Sequence, residues 1–127
     1  MRLNLVVVIG VREGKGSRVS GIGSLLLAVP DDATGELFYA GRVETRFTTH
    51  QLQAMEEKLR EKKVGKASIS DVPEVDRDGV WWVAPDLVEE VALAGRTCDG
   101  KVRHAVWRGW RDDKDPGDVR WTDELRR

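Results

Sequence analysis

A mainly β fold, with five strands coiled around one small core and a single helix between the third and fourth, is what this sequence predicts. Three observations lead there. Apolar runs rich in β-branched residues recur at strand length, glycine and Asp-Gly breaks separate them, and one segment alone carries helix-start signals and helical spacing. At 127 residues the chain suits one domain spanning 1–127, because two cores of about 60 residues would each bury too little surface. Hydrophobic residues make up 40% and charged residues 34%, a balance that suits a folded domain with a charged surface rather than a disordered chain.

Leu3 to Val11 is one β-branched run and Ile22 to Val29 a second, with Gly14-Lys15-Gly16-Ser17 breaking the chain between them. This predicts a long hairpin. Pro30-Asp31-Asp32 and Gly35 punctuate a turn before Glu36 to Val43, where Phe38 and Tyr39 favour a third strand. Thr48 followed by Gln51 matches a capping box, and Phe47 with Leu52 stands at the spacing of a hydrophobic staple, so a helix starts here. Leu52, Met55 and Leu59 share its apolar face, Lys58, Arg60, Lys62 and Lys63 suit its C-terminal dipole, and Gly65 can close it.

Lys66 to Gly79 has no clear period and reads as a loop. Trp81 to Val83 reads as a short strand and Pro85 to Thr97 as the fourth main one. Cys98-Asp99-Gly100-Lys101 then supplies an Asp-Gly turn into a fifth strand, Val102 to Trp107. Asp115 before Pro116 can cap a last short helix. The order β-β-β-α-β-β is satisfied by a five-stranded OB-fold barrel with a helix between strands 3 and 4 and a short C-terminal helix. An open sheet with one helix packed on it is the alternative. There is no internal repeat and no low-complexity segment.

The only apolar run near the start, Leu3 to Ile9, gives way to charge and glycine, so neither a signal peptide nor a membrane span is read and the chain is expected in the cytoplasm. The single cysteine, Cys98, cannot form an internal disulfide and has no metal-ligand spacing to another cysteine or histidine. Twenty-one basic against 22 acidic residues leave a net charge of -1, so attraction to nucleic acid must come from segregated charge. Arg12, Lys15 and Arg18 form one basic stretch, and Arg103, Arg108, Arg111 and Lys114 another. The acids gather around Asp71 to Asp78 and at Glu89-Glu90.

Most searches for catalytic constellations fail. Gly10 to Ser17 is one residue short of a phosphate loop, and glycine follows Lys15 where such a loop needs Ser or Thr. Glycines at 10, 14, 16, 21 and 23 instead describe a twisted hairpin tip that could set Lys15 and Arg18 on phosphates. His50, in the first helical turn, reads as a solvated surface residue. His104 suits packing or a backbone hydrogen bond better than general-base work. The tryptophans at 81, 82, 107, 110 and 121 could stack bases, but core packing explains them more simply.

The run Arg103-His104-Ala105-Val106-Trp107-Arg108-Gly109-Trp110-Arg111-Asp112-Asp113-Lys114-Asp115-Pro116 resembles the last conserved motif of the nucleotidyltransferases that include ATP-dependent DNA ligases. Its Arg-x-Asp-Lys core is Arg111, Asp113 and Lys114. Similarity to bacterial ATP-dependent ligases of the end-joining type extends along nearly the whole chain. It includes the opening strand and basic turn, Gly23-Ser24-Leu25-Leu26-Leu27, Tyr39-Ala40-Gly41-Arg42-Val43, Trp82-Val83-Ala84-Pro85 and Leu87-Val88-Glu89-Glu90-Val91. Ala105, where relatives usually carry proline, and Lys66 to Val75 depart from the pattern.

The resemblance implies that an adenylation domain precedes this one and carries a Lys-x-Asp-Gly nucleophile. None of the seven lysines here, at 15, 58, 62, 63, 66, 101 and 114, is followed by that pattern, so the chain is expected to be inactive alone. ATP and Mg2+ would act through the adenylation domain, with no cofactor or metal bound by this domain alone. Arg111 and Lys114 are implied to meet the triphosphate during adenylation, with Asp113 orienting them. Arg12, Lys15, Arg18, Arg42, Arg46, Arg103 and Arg108 are the candidates for contacting nicked double-stranded DNA. The implied partners are that DNA and the adenylation domain, for a monomer in DNA repair, nucleoid-associated and without a membrane contact. A free-standing nucleic-acid-binding OB protein is the competing reading. A capping-enzyme or RNA-ligase relative would share only the last motif.

Overall fold

The computed structural model describes residues 2–13, 22–30, 34–44, 49–96, 102–103 and 105–119. Strand β1 (Arg2–Glu13) pairs antiparallel with β2 (Ile22–Pro30), and β2 with β3 (Leu37–Glu44). Val6, Val7, Val8 and Ile9 on β1, and Leu25, Leu26, Leu27 and Ala28 on β2, are all fully buried. Burial of consecutive residues means both faces of these strands are covered, which is why their sequence is a continuous apolar run rather than an alternation.

Helix α1 (Thr49–Arg60) follows, burying Met55 and Leu59. The side chains of Phe47, Thr48 and Leu52, read as the staple and capping box, lie outside the described residues. Gly65 does not close the helix. The amide of Lys62 donates to Leu59 O at 3.0 Å, and Lys63–Val64 then leave as β4 to pair with β5 (Val80–Leu93), so the chain turns away before Gly65.

Within Lys66 to Gly79, read as a loop, Glu74–Arg77 form a one-turn helix α2. The segment is tied down at Asp71, whose carboxylate accepts from the Tyr39 amide at 3.1 and 3.3 Å, and Val72 is buried. The Tyr39 hydroxyl donates to Asp76 at 3.0 Å, and burial together with that carboxylate raises its pKa far above the ordinary tyrosine value.

The predicted break at Pro85 does not exist; Val80–Leu93 is one strand. Its ladder to β1 jumps from Gly10↔Trp82 to Val8↔Leu87, while Trp82 and Val83 pair with β4. Pro85 therefore sits where β1 makes no ladder bond, and its missing N–H costs nothing. Beyond Leu93, which faces Arg2 at the end of the β1 ladder, Gly95–Arg96 (β6) pair instead with Val102–Arg103 (β7). The predicted fifth strand is displaced accordingly. Val106–Trp110 (β8), reaching beyond Trp107, pairs with β5. The Cys98 to Lys101 turn and His104 lie outside the described residues. A 3-10 turn, Pro116–Asp118, stands where the last short helix was predicted.

The main strands run in the order β3-β2-β1-β5-β8, and β3 and β8 approach each other across the remaining gap. This is the coiled, nearly closed arrangement of an OB barrel. Among the described residues, no helix is long and apolar enough to cross a membrane.

Gly10 belongs to β1 rather than to the hairpin tip. A Cβ placed there would meet the Trp82 ring at 3.0 Å and Val80 at 3.1 Å. Gly10→Val should therefore destabilise the domain by about 1–3 kcal/mol by overpacking, read as a lowered urea midpoint with unchanged slope. An unchanged midpoint would show that Trp82 moves aside freely.

Candidate functional site

Strand β8 delivers the Arg-x-Asp-Lys residues to one end of the barrel. Its register on β5 slips between Val91↔Trp107 and Glu90↔Gly109, so Arg108 is the extra residue of a bulge, and Gly109 takes φ 154°. Across the bulge, Trp107 and Trp110 meet edge to face, 4.9 Å between centroids. They line a cleft of about 340 Å³ against α1 with Gln51, Ala54, Met55, Lys58 and Gly109.

The strand ends in a tight turn. The Arg111 amide donates to Val88 O at 2.9 Å, and the Lys114 amide to Arg111 O at 3.1 Å. The Arg111 side chain donates through Nε and Nη2 to the two Asp113 oxygens at 3.0 and 3.1 Å, and through Nη1 to Glu90 Oε1 at 2.9 Å. Asp113 first and Glu90 second raise the Arg111 pKa, and Arg111 in turn holds Asp113 below the usual carboxylate range. Of the five guanidinium N–H donors, these bonds occupy three, leaving two for an anion. The Lys114 ammonium has no ion-pair partner among the described residues. The three predicted motif residues are thus brought together.

The predicted DNA contacts are placed less uniformly. Arg42, on β3, stands 3.6 Å from Asp76, and both Arg42 and Arg12 lie within electrostatic reach of the Tyr39 hydroxyl. Arg108 is exposed beside the motif turn. Arg103 is in β7, with its side chain outside the described set; Lys15, Arg18 and Arg46 lie outside the described residues altogether. Among the described residues, no group of three or more His, Cys, Asp or Glu could hold a metal ion.

Two participants escaped sequence reading. Glu90 was visible in the Leu87 to Val91 stretch but had no role until β5 and β8 were paired. Lys58, read as a helix-dipole residue, binds Asp112 across 54 positions, a pairing no local spacing could reveal.

A nearly closed OB-type barrel with an Arg-x-Asp-Lys turn is the arrangement that the resemblance to ATP-dependent DNA ligases implied. The family described as ATP dependent DNA ligase C terminal region matches residues 18–114, and the chain belongs to it. It is 41% identical over 117 residues to the multifunctional non-homologous end joining protein LigD of Mycolicibacterium smegmatis, covering 91% of this chain and 15% of that protein. Against the DNA ligase of Hyperthermus butylicus, identity is 31% over 139 residues, covering 94% of this chain and 22% of the relative. The chain thus spans less than a quarter of the length of these relatives.

Among solved structures, the ligase domain of M. tuberculosis LigD matches with a TM-score of 0.85 at 36% identity, covering 95% of this chain and 39% of that one. A mycobacterial DNA ligase D complexed with ATP and MES gives 0.83 at 33% identity, covering 95% and 38%.

Proposed function

We propose that this chain acts as one OB-fold domain that assists lysine adenylation by ATP and then holds DNA around a nick, as part of a repair ligase. The observation that carries the reading is the Arg111 clamp. Glu90 and Asp113 hold the guanidinium rigid while two of its N–H groups, and the neighbouring Lys114 ammonium, stay available.

In adenylation, a lysine Nζ on the adenylation domain loses a proton and attacks the α-phosphorus of ATP. The bond from that phosphorus to the oxygen bridging the β-phosphate breaks, and pyrophosphate leaves with the negative charge. Cations already in place where that charge accumulates lower the barrier most, because no reorganisation is needed at the moment of reaction. Arg111 and Lys114 supply them. Asp113 fixes the guanidinium plane. Mg2+ would arrive with the triphosphate on the adenylation domain.

For DNA, the candidates are Arg12, Arg42 and Arg108, with Lys15, Arg18, Arg46 and Arg103, contacting phosphates without reading sequence. A net charge of -1 and the Arg42–Asp76 pair support weak, salt-sensitive binding by the chain alone. The test is sealing of nicked DNA with ATP by this chain, by an adenylation domain carrying the Lys-x-Asp-Gly nucleophile, and by the two mixed. Sealing that needs the mixture is expected. DNA binding by this chain with no gain in sealing on mixing would favour a free-standing binder instead.

A further inference from the structure

The turn that offers Arg111 and Lys114 also carries Asp112, whose carboxylate would oppose any triphosphate brought to it. Asp112 is not left to solvent. The Lys58 ammonium of α1 donates to it. That ammonium also lies 4.7 Å from the centroid of the Trp110 ring, whose edge-to-face contact with Trp107 fixes its orientation. The Lys58 side chain is 29% exposed against 76% for Asp112, so the lysine is the anchored partner and the aspartate the held one. A cation over an indole face gains from the ring quadrupole as well as from the carboxylate.

Within residues 111–114 and the groups ion-paired to them, the lysine has a definite place. Asp112, Asp113 and Glu90 are three carboxylates, Arg111 and Lys114 two cations, and Lys58 is the cation paired with Asp112. Without it, Asp112 would face a triphosphate with no ion-pair partner among the described residues, while the turn kept its ties to β5 through the Arg111 amide and side chain.

We propose that Lys58 is a positioning residue for the Arg-x-Asp-Lys turn: seated against Trp110, it holds Asp112 and neutralises it, so that Arg111 and Lys114 face the ATP triphosphate. The inference rests on the adenylation reading above. Its effect falls on the rate of adenylation rather than on ATP capture, because ATP is bound chiefly by the adenylation domain.

The experiment follows lysine-AMP formation by the adenylation domain mixed with this chain, over a range of ATP concentrations. Lys58→Met should slow the step about tenfold at saturating ATP, the scale of a modest misplacement, with KM changed less than about threefold. Lys58→Arg should keep most of the rate. Adding Asp112→Asn to Lys58→Met should restore most of it, a rescue that a general packing role for Lys58 would not show. A Lys58→Met rate within twofold of wild type, or a loss that Asp112→Asn does not relieve, overturns the proposal. Arg111→Ala and Lys114→Ala run alongside. If they slow adenylation and Lys58→Met does not, the role of Lys58 alone fails; if they too have no effect, the adenylation reading fails with it.

Discussion

Arg111→Ala should slow lysine-AMP formation roughly 100- to 1000-fold, the range seen when one pre-placed donor to a developing negative charge is removed. The substitution does more than delete a cation. Glu90 and Asp113, which Arg111 holds at 2.9 to 3.1 Å, lose that cation where the proposed reaction would develop pyrophosphate charge. Arg111→Lys should recover only part of the loss, because an ammonium is a point charge and cannot hold Asp113 through two parallel bonds while reaching Glu90. Quench-flow measurement of labelled AMP on the lysine decides the matter. An Arg111→Ala rate within threefold of wild type would show that the clamp is a fold element and not part of the reaction.

Removing a carboxylate from the barrel core should stabilise the protein. Glu89 is fully buried on β5, and neither of its oxygens has a hydrogen-bond partner among the described residues. Desolvation pushes its pKa well above the ordinary value. The unfolded chain titrates near 4.3, so between that pH and the raised native value the folded state binds the extra proton. Stability contributed at this site is therefore highest at acid pH and falls as pH rises, by about 1.4 kcal/mol per pH unit across that window. Glu89→Met removes both the slope and the unpaired polar group, and should raise stability at pH 7 by about 2 kcal/mol or more. Glu89→Gln should remove the slope while keeping a polar group in the core. Urea unfolding of the three proteins from pH 5 to 8 checks this. Parallel stability curves for wild type and Glu89→Gln would show that Glu89 is solvated or paired in the native state.

The first two strands were legible to within a residue or two because burial on both faces makes their apolar runs continuous, whereas β3, only partly buried, was marked by Gly35 before it and by Phe38 and Tyr39 within it. Strand β5 was not. Pro85 looks like a terminator in one dimension, yet the sheet places it between Trp82 and Leu87, where the ladder to β1 is interrupted. Lys66 to Gly79 was opaque for a related reason. What orders it is a tertiary contact, Asp71 accepting from the Tyr39 amide 32 positions away, rather than any periodicity of its own.

At the site, Arg111, Asp113 and Lys114 could be named because they stand close together in one motif. Glu90 and Lys58 could not, since each reaches the turn only through strand pairing or helix packing, from 21 and 54 positions away. The bulge at Arg108 was equally hidden, because one unpaired residue leaves no mark on an aromatic run that already suits a strand. Two of the DNA candidates, Arg12 and Arg42, share the surroundings of Tyr39, a proximity that follows from the β1-β2-β3 ladder and not from their spacing.

The most direct test titrates this chain into a fixed amount of adenylation domain with ATP labelled in the α-phosphate, and reads the initial rate of label transfer to lysine. The rate should rise with added chain to saturation, and should stay at its starting value when the added chain carries Arg111→Ala together with Lys114→Ala. A rate that the wild-type chain does not raise, or that the doubly substituted chain raises equally, would contradict a role for this turn in the reaction.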